Sequence, residues 1–135
     1  MFRVDVEVQS SAIDGRGVFA RHLIPRDTIV WQFADGHDRR LSVAAFAALS
    51  PQVRAGLERI AYLSPATGLW VIPPPEDPAC FTNHSTDANT VVRVDPWISS
   101  EPFFVARRDI LAGEEITDNY LEFDRSTEPH ACAWL

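Results

Sequence analysis

Cysteine is almost missing: Cys80 and Cys132 are the only two in 135 residues. That is too few for a disulfide scaffold or for the cysteine-rich flanks with which many small domains hold zinc. Lysine is missing altogether, so all twelve cationic side chains are Arg, a bias that a GC-rich coding sequence produces. Positive charge is in deficit, with nineteen Asp plus Glu and a net charge of −7, which opposes a phosphate-rich partner and favours attraction of basic peptides. Direct nucleic-acid binding is therefore not expected. Long apolar runs are absent too, since nothing approaches the roughly 20 residues of a membrane span. Met1 to Ser10 alternates charged and apolar residues and lacks the basic start and apolar centre of a leader segment. No membrane association and a cytoplasmic location are expected.

What the chain does have is 46% apolar residues and 10% aromatics, enough to bury one ordinary core but hardly two. A single domain over residues 1–135 is expected. Ten Pro and six Gly separate short β-branched or aromatic runs at 4–8, 28–33, 69–72, 90–94 and 103–106, the pattern of a mainly β fold. Residues 42–63 are the exception. Ser42 can cap a short helix through Leu49, Ser50-Pro51 can start a second one, and Val53, Leu57, Ile60 and Ala61 then recur at helical spacing. Residues 73–79, Pro-Pro-Pro-Glu-Asp-Pro-Ala, read as an extended or turning loop.

Three fragments carry the chemistry. Gly15-Arg16-Gly17-Val18-Phe19-Ala20 permits positive φ and leaves no Cβ between the backbone and a ligand, although a plain hairpin turn has the same glycine spacing. Asn83-His84-Ser85, followed by Asn89 and preceded by Phe81, offers amide donors and an acceptor at Asn83; a polar turn capped by its own side chains looks alike. Gly113-Glu114-Glu115-Ile116-Thr117 runs on to Tyr120, whose hydroxyl can orient a reacting group or merely satisfy a buried carbonyl.

Together and in this order the fragments resemble the signature of the SET-domain protein lysine methyltransferases, in the minimal bacterial or viral form without cysteine-rich flanks. The resemblance covers residues 5–124, with a variable helical insert at 42–63 and a tail at 125–135. It implies short, bent β-sheets of the β-clip type, with the Asn83 and Tyr120 segments crossing in a C-terminal pseudoknot. It also implies S-adenosylmethionine as methyl donor and a basic protein or peptide as substrate: histone, histone-like or ribosomal. The absence of Lys would then leave a lysine-modifying enzyme without a target on itself.

By the same resemblance, main-chain groups around Arg16, Gly17 and Val18 hold the methionine portion, and Phe19 and Ala20 begin a strand. Asn83 meets the donor's amino group, the main chain at His84 reads adenine, and Tyr62 touches the cofactor. Tyr120 is the catalytic tyrosine and also borders the cofactor. Phe33, where the family commonly has Tyr, becomes a candidate for the channel wall and equally for the core. Asp118 stands where the family often has Phe or Tyr; a charge facing the channel would favour an ammonium, so it is expected to point elsewhere or to dock a basic substrate. No cysteine cluster follows Tyr120. Phe123 or Trp134 can close the site instead, over the adenine or the lysine stem, or a homodimer partner can supply the wall. A zinc tetrad of Cys80, His84, His130 and Cys132 has spacings unlike structural zinc sites. A catalytically silent SET domain that binds a peptide is the alternative function.

Overall fold

The computed structural model describes residues 1–126. Ten short strands make three small sheets. The first contains β1 (Val6–Ser10), β2 (Arg16–Ala20), β10 (Glu115–Asp118) and β7 (Asn83–His84), side by side in the order β1-β2-β10-β7. The second orders β3 (Ile29–Trp31), β9 (Phe103–Ala106) and β8 (Thr90–Arg93) as β3-β9-β8. The third orders β4 (Arg39–Leu41), β6 (Trp70–Ile72) and β5 (Tyr62–Leu63) as β4-β6-β5.

The architecture is mainly β, as the runs of β-branched and aromatic residues imply, with segment ends displaced by a residue or two. β2 differs in a way that matters. It starts at Arg16, so Phe19 and Ala20 close the strand instead of opening it. The chain leaves the glycine turn already paired, with Arg16 opposite Ser10 and Gly17 opposite Gln9.

Residues 42–58 hold the two expected helices. Ser42 caps α1 (Val43–Ala47), accepting from the Ala45 N–H at 3.0 Å, and Ser50 caps α2 (Pro51–Glu58), accepting from the Val53 N–H at 3.3 Å. Phe46 of α1 is buried and stacks on Trp70 at 4.2 Å between ring centres, which docks the insert on β6. The apolar spacing of α2 does not make a core face: none of its residues is buried and Val53 is exposed. The helix ends at Glu58, so Ile60 and Ala61 lie beyond it, and Tyr62 belongs to β5.

Two hydrophobic clusters fill the interior. One joins Val18, Ala20, Ile24, Val30, Ala106, Ile110 and Ile116 beneath the first sheet. The other is aromatic, joining Trp31, Phe33, Tyr62, Phe104 and Phe123 around Val71. β3 contributes to both, Val30 to one and Trp31 to the other.

The crossing that brings distant segments together is short. β10 runs antiparallel to β2, pairing Glu115 with Phe19 and Ile116 with Val18. On its other edge it runs parallel to β7, pairing Thr117 with Asn83 and Asp118 with His84. Asn89 locks this arrangement. Its side-chain amide donates to Glu115 O at 2.7 Å and accepts from the Thr117 N–H at 3.0 Å, taking the place of a peptide group along β10.

Candidate active site

Beside the glycine turn, oxygen atoms converge on one nitrogen. Asn83 Nδ2 lies 3.1 Å from Ser11 Oγ, 3.1 Å from Asp14 O, 3.1 Å from Arg16 O and 2.8 Å from Glu115 Oε2. A side-chain amide has two hydrogens, so acceptors outnumber donors here. Glu115 reaches the cluster because it pairs with Phe19 on β2, which sets Gly17 on its diagonal on the same face. A Cβ at Gly17 would lie 2.2 Å from Glu115 Oε2; only glycine leaves room for the carboxylate. Ser11 Oγ holds that carboxylate at 2.7 and 2.9 Å.

The chain then passes through Thr82 to a second feature, a cavity of about 200 Å³. Six aromatic residues contribute to its wall, Phe2, Trp31, Tyr62, Phe104, Tyr120 and Phe123, beside charged ones that include Glu58, Arg59 and Asp118. Phe123 is the hub of edge-on ring contacts, with centres 5.1 Å from Tyr62, 4.7 Å from Phe104 and 5.9 Å from Tyr120. Phe2 joins the wall because the first residues pair with β3, Phe2 bridging to Trp31 and the Arg3 N–H donating to Val30 O at 2.8 Å.

Tyr120 stands where cluster and cavity meet. Its hydroxyl donates a short hydrogen bond to the carbonyl of Thr82, the residue before Asn83. Its backbone N–H donates to His84 Nδ1 at 3.1 Å, and the imidazole lies against its ring at 5.1 Å. Burial, reinforced by the charges of Asp118, Asp124 and Asp14, pushes the phenol up from 10.0 to about 12. The hydroxyl is thus a neutral donor near neutral pH, with lone pairs left to accept.

The SET domain family model matches residues 15–121. The chain belongs to the SET-domain family. Among solved structures, this SET domain resembles a candidate histone methyltransferase from Plasmodium falciparum, with 18% identity over 87% of this chain and 94% of that one and a TM-score of 0.58. At that identity the likeness shows the fold. CpSET8 from Cryptosporidium matches at 26% identity over 85% of this chain and 56% of that one, with a TM-score of 0.63. A humanized mutant of the Chaetomium thermophilum Polycomb Repressive Complex 2, bound to the inhibitor GSK126, matches at 25% identity over 87% of this chain but only 15% of that one, with a TM-score of 0.59. No curated protein matches the chain.

Within this SET domain the residues singled out in the sequence fall into two groups. Asn83 and the Arg16 carbonyl meet in the oxygen cluster, while Tyr62, Asp118, Tyr120 and Phe123 line the cavity. One placement corrects an expectation. Val18 is fully buried with a strand on either side, opposite Val8 and Ile116, so the sheet takes up its main-chain groups and leaves Arg16 as the turn residue facing the cluster. Tyr62 sits on the cavity wall and not among the cluster oxygens. Phe33 packs in the aromatic core beneath the Arg40 guanidinium, 4.6 Å from its ring centre, and Trp31, two residues earlier on the chain, takes the wall position. His84 contributes its ring to Tyr120 as well as its backbone to β10. Trp134 lies outside the described residues, as do His130 and Cys132; among the described residues no cluster suited to a metal ion occurs.

Sequence reading missed Ser11, Glu115, Phe2, Trp31 and Phe104. For Trp31 a signal existed, since residues two apart on an extended segment share a face and Phe33 had drawn notice. For Phe2 there was none, because it arrives through long-range pairing with Trp31, whereas Ser11 sits in the glycine turn itself, its N–H donating to Gly15 O at 2.8 Å.

Proposed function

We propose that this SET domain transfers a methyl group from S-adenosylmethionine to a lysine side chain of a basic protein or peptide. The observation that carries the reading is the position of Tyr120, tied to the Thr82 carbonyl between an oxygen-rich cluster and an aromatic cavity. The cluster fits the donor's amino-acid end, because surplus acceptors from Ser11, Asp14, Arg16 and Glu115 suit an ammonium group and Asn83 can turn its carbonyl to the same group. S-adenosylmethionine supplies a methyl group made electrophilic by a positive sulfur.

The protein's share is chiefly alignment. Freeing a lysine amine with pKa near 10.4 at pH about 8 costs roughly 3.3 kcal/mol, against roughly 7 to 11 kcal/mol available from holding two reactants in attack geometry. Tyr120 donates its proton to Thr82 O, so its oxygen is free to accept an N–H from the amine and turn the nitrogen lone pair toward the methyl group. A phenol held near 12 is no base. The cavity's ring contacts exclude water from the aliphatic stem. The net charge of −7 favours a basic partner.

Titration calorimetry with S-adenosylmethionine, followed by a lysine peptide array with wild type and Tyr120→Phe, tests the reading. Cofactor binding and a loss of turnover of about a hundredfold in Tyr120→Phe are expected, the scale of misalignment at a reacting centre. Since the chain has no Lys, any methyl-lysine formed lies on the peptide. Peptide binding without turnover by the wild type would instead favour a silent binding module.

A further inference from the structure

Asp118 ends β10, two residues before Tyr120, and lines the cavity. It is partly accessible, as befits a residue of the cavity wall. Its Oδ1 accepts from Thr90 Oγ1 at 2.7 Å, but that hydroxyl also lies 2.8 Å from Thr117 O and has one proton to share between them. Among the described residues no salt bridge reaches Asp118. Of the titratable side chains around it, Glu122 on the turn after Tyr120 repels it, His84 stands beside it on β7 with Nδ1 turned to the Tyr120 N–H, and Asp124, Glu58 and Arg59 line the same cavity without forming a salt bridge to it. A carboxylate desolvated in this way without a cation is expensive.

A second observation points to the same place. The Tyr62 hydroxyl, which can accept as well as donate, is buried without a hydrogen-bond partner and belongs to a residue of this cavity wall. Buried donors without partners are rare in a finished interior. The faces of Trp31, Tyr62, Phe104 and Phe123 also attract positive charge.

We propose that Asp118 is a specificity-determining residue that makes the cavity select a cationic head, so that the incoming side chain docks as a cation against this carboxylate. That the cation is a lysine's ammonium rests on the methyl-transfer reading; the selection of a cation does not. Burial, opposed by the Thr90 hydrogen bond and reinforced by Glu122, raises the carboxyl from 3.8 to about 6. It is therefore ionised at pH 7.5 and loses its hold on a cation as the pH falls through about 6.

The test uses n-butylammonium chloride and its neutral analogue n-butanol, titrated separately into the protein and followed by NMR at the Trp31 indole. Wild type at pH 7.5 is expected to prefer the ammonium by at least about tenfold, as for a carboxylate in a desolvated pocket. The preference should vanish at pH 4.5 and in Asp118→Asn, and persist in Asp118→Glu. Equal binding by the wild type at pH 7.5, binding of neither probe, or a preference that survives at pH 4.5 or in Asp118→Asn overturns the proposal. The pH series on the wild type decides the matter even if the Asn variant fails to fold. These titrations need no turnover, so a failure of methyl transfer and a failure of cation selection are read separately.

Discussion

Two asparagines six residues apart do opposite work. Asn89 is buried and stands in for a peptide group along β10, satisfying both Glu115 O and the Thr117 N–H. Asn89→Ala strands these two groups in the interior and should lower unfolding free energy by about 2 to 6 kcal/mol, each unsatisfied group costing about 1 to 3; urea denaturation reads this directly. Asn83 is only partly buried, and its acceptors include main-chain oxygens that need no donor from it to keep the fold. Asn83→Ala should leave the urea midpoint nearly unchanged while weakening S-adenosylmethionine binding by roughly 1 to 3 kcal/mol through a lost partner to a charged group. Calorimetry that found unchanged affinity would remove Asn83 from the cofactor site. Both residues stood out in one short motif, but only the long-range pairing with β10 separates their roles.

The critical element is the diagonal between β2 and β10. Gly17 leaves space that the Glu115 carboxylate fills, and Glu115 in turn gathers Ser11 and Asn83. Gly17→Ala would force that carboxylate out, because a contact of 2.2 Å is impossible for real atoms. A stability loss of about 1 to 3 kcal/mol is expected, together with weaker cofactor binding. A double-mutant cycle checks the cause. Once Gly17→Ala has expelled the carboxylate, adding Glu115→Ala should cost clearly less than it does in the wild type; additive losses would mean that the clash lies elsewhere. The glycine turn, the helix caps at Ser42 and Ser50, and the strands β1, β3, β6, β8 and β9 were legible because each depends on neighbours in sequence. The diagonal was not, since register between residues about a hundred positions apart is set by tertiary pairing. The exposed face of α2 misled for a related reason: apolar spacing states which side could be buried, and only the assembled sheets decide whether anything covers it.

At the scale of the whole molecule, acidity and the aromatic cavity act over different distances. Ring contacts and Asp118 operate within the cavity, shielded from salt, whereas the excess of nineteen acidic over twelve basic side chains acts through solvent. Its reach shrinks from roughly 10 Å at 0.1 M ionic strength to 3 Å at 1 M. If this surface draws in a basic substrate, raising NaCl from about 0.05 to 0.5 M should lower kcat/KM about tenfold on a lysine peptide flanked by several Arg, with kcat nearly unchanged, because steering affects encounter and not chemistry. The same peptide with neutral flanks should lose little. Equal salt sensitivity of the two would show that the acidic excess serves solubility alone, and that recognition is confined to the cavity where the ammonium meets Asp118.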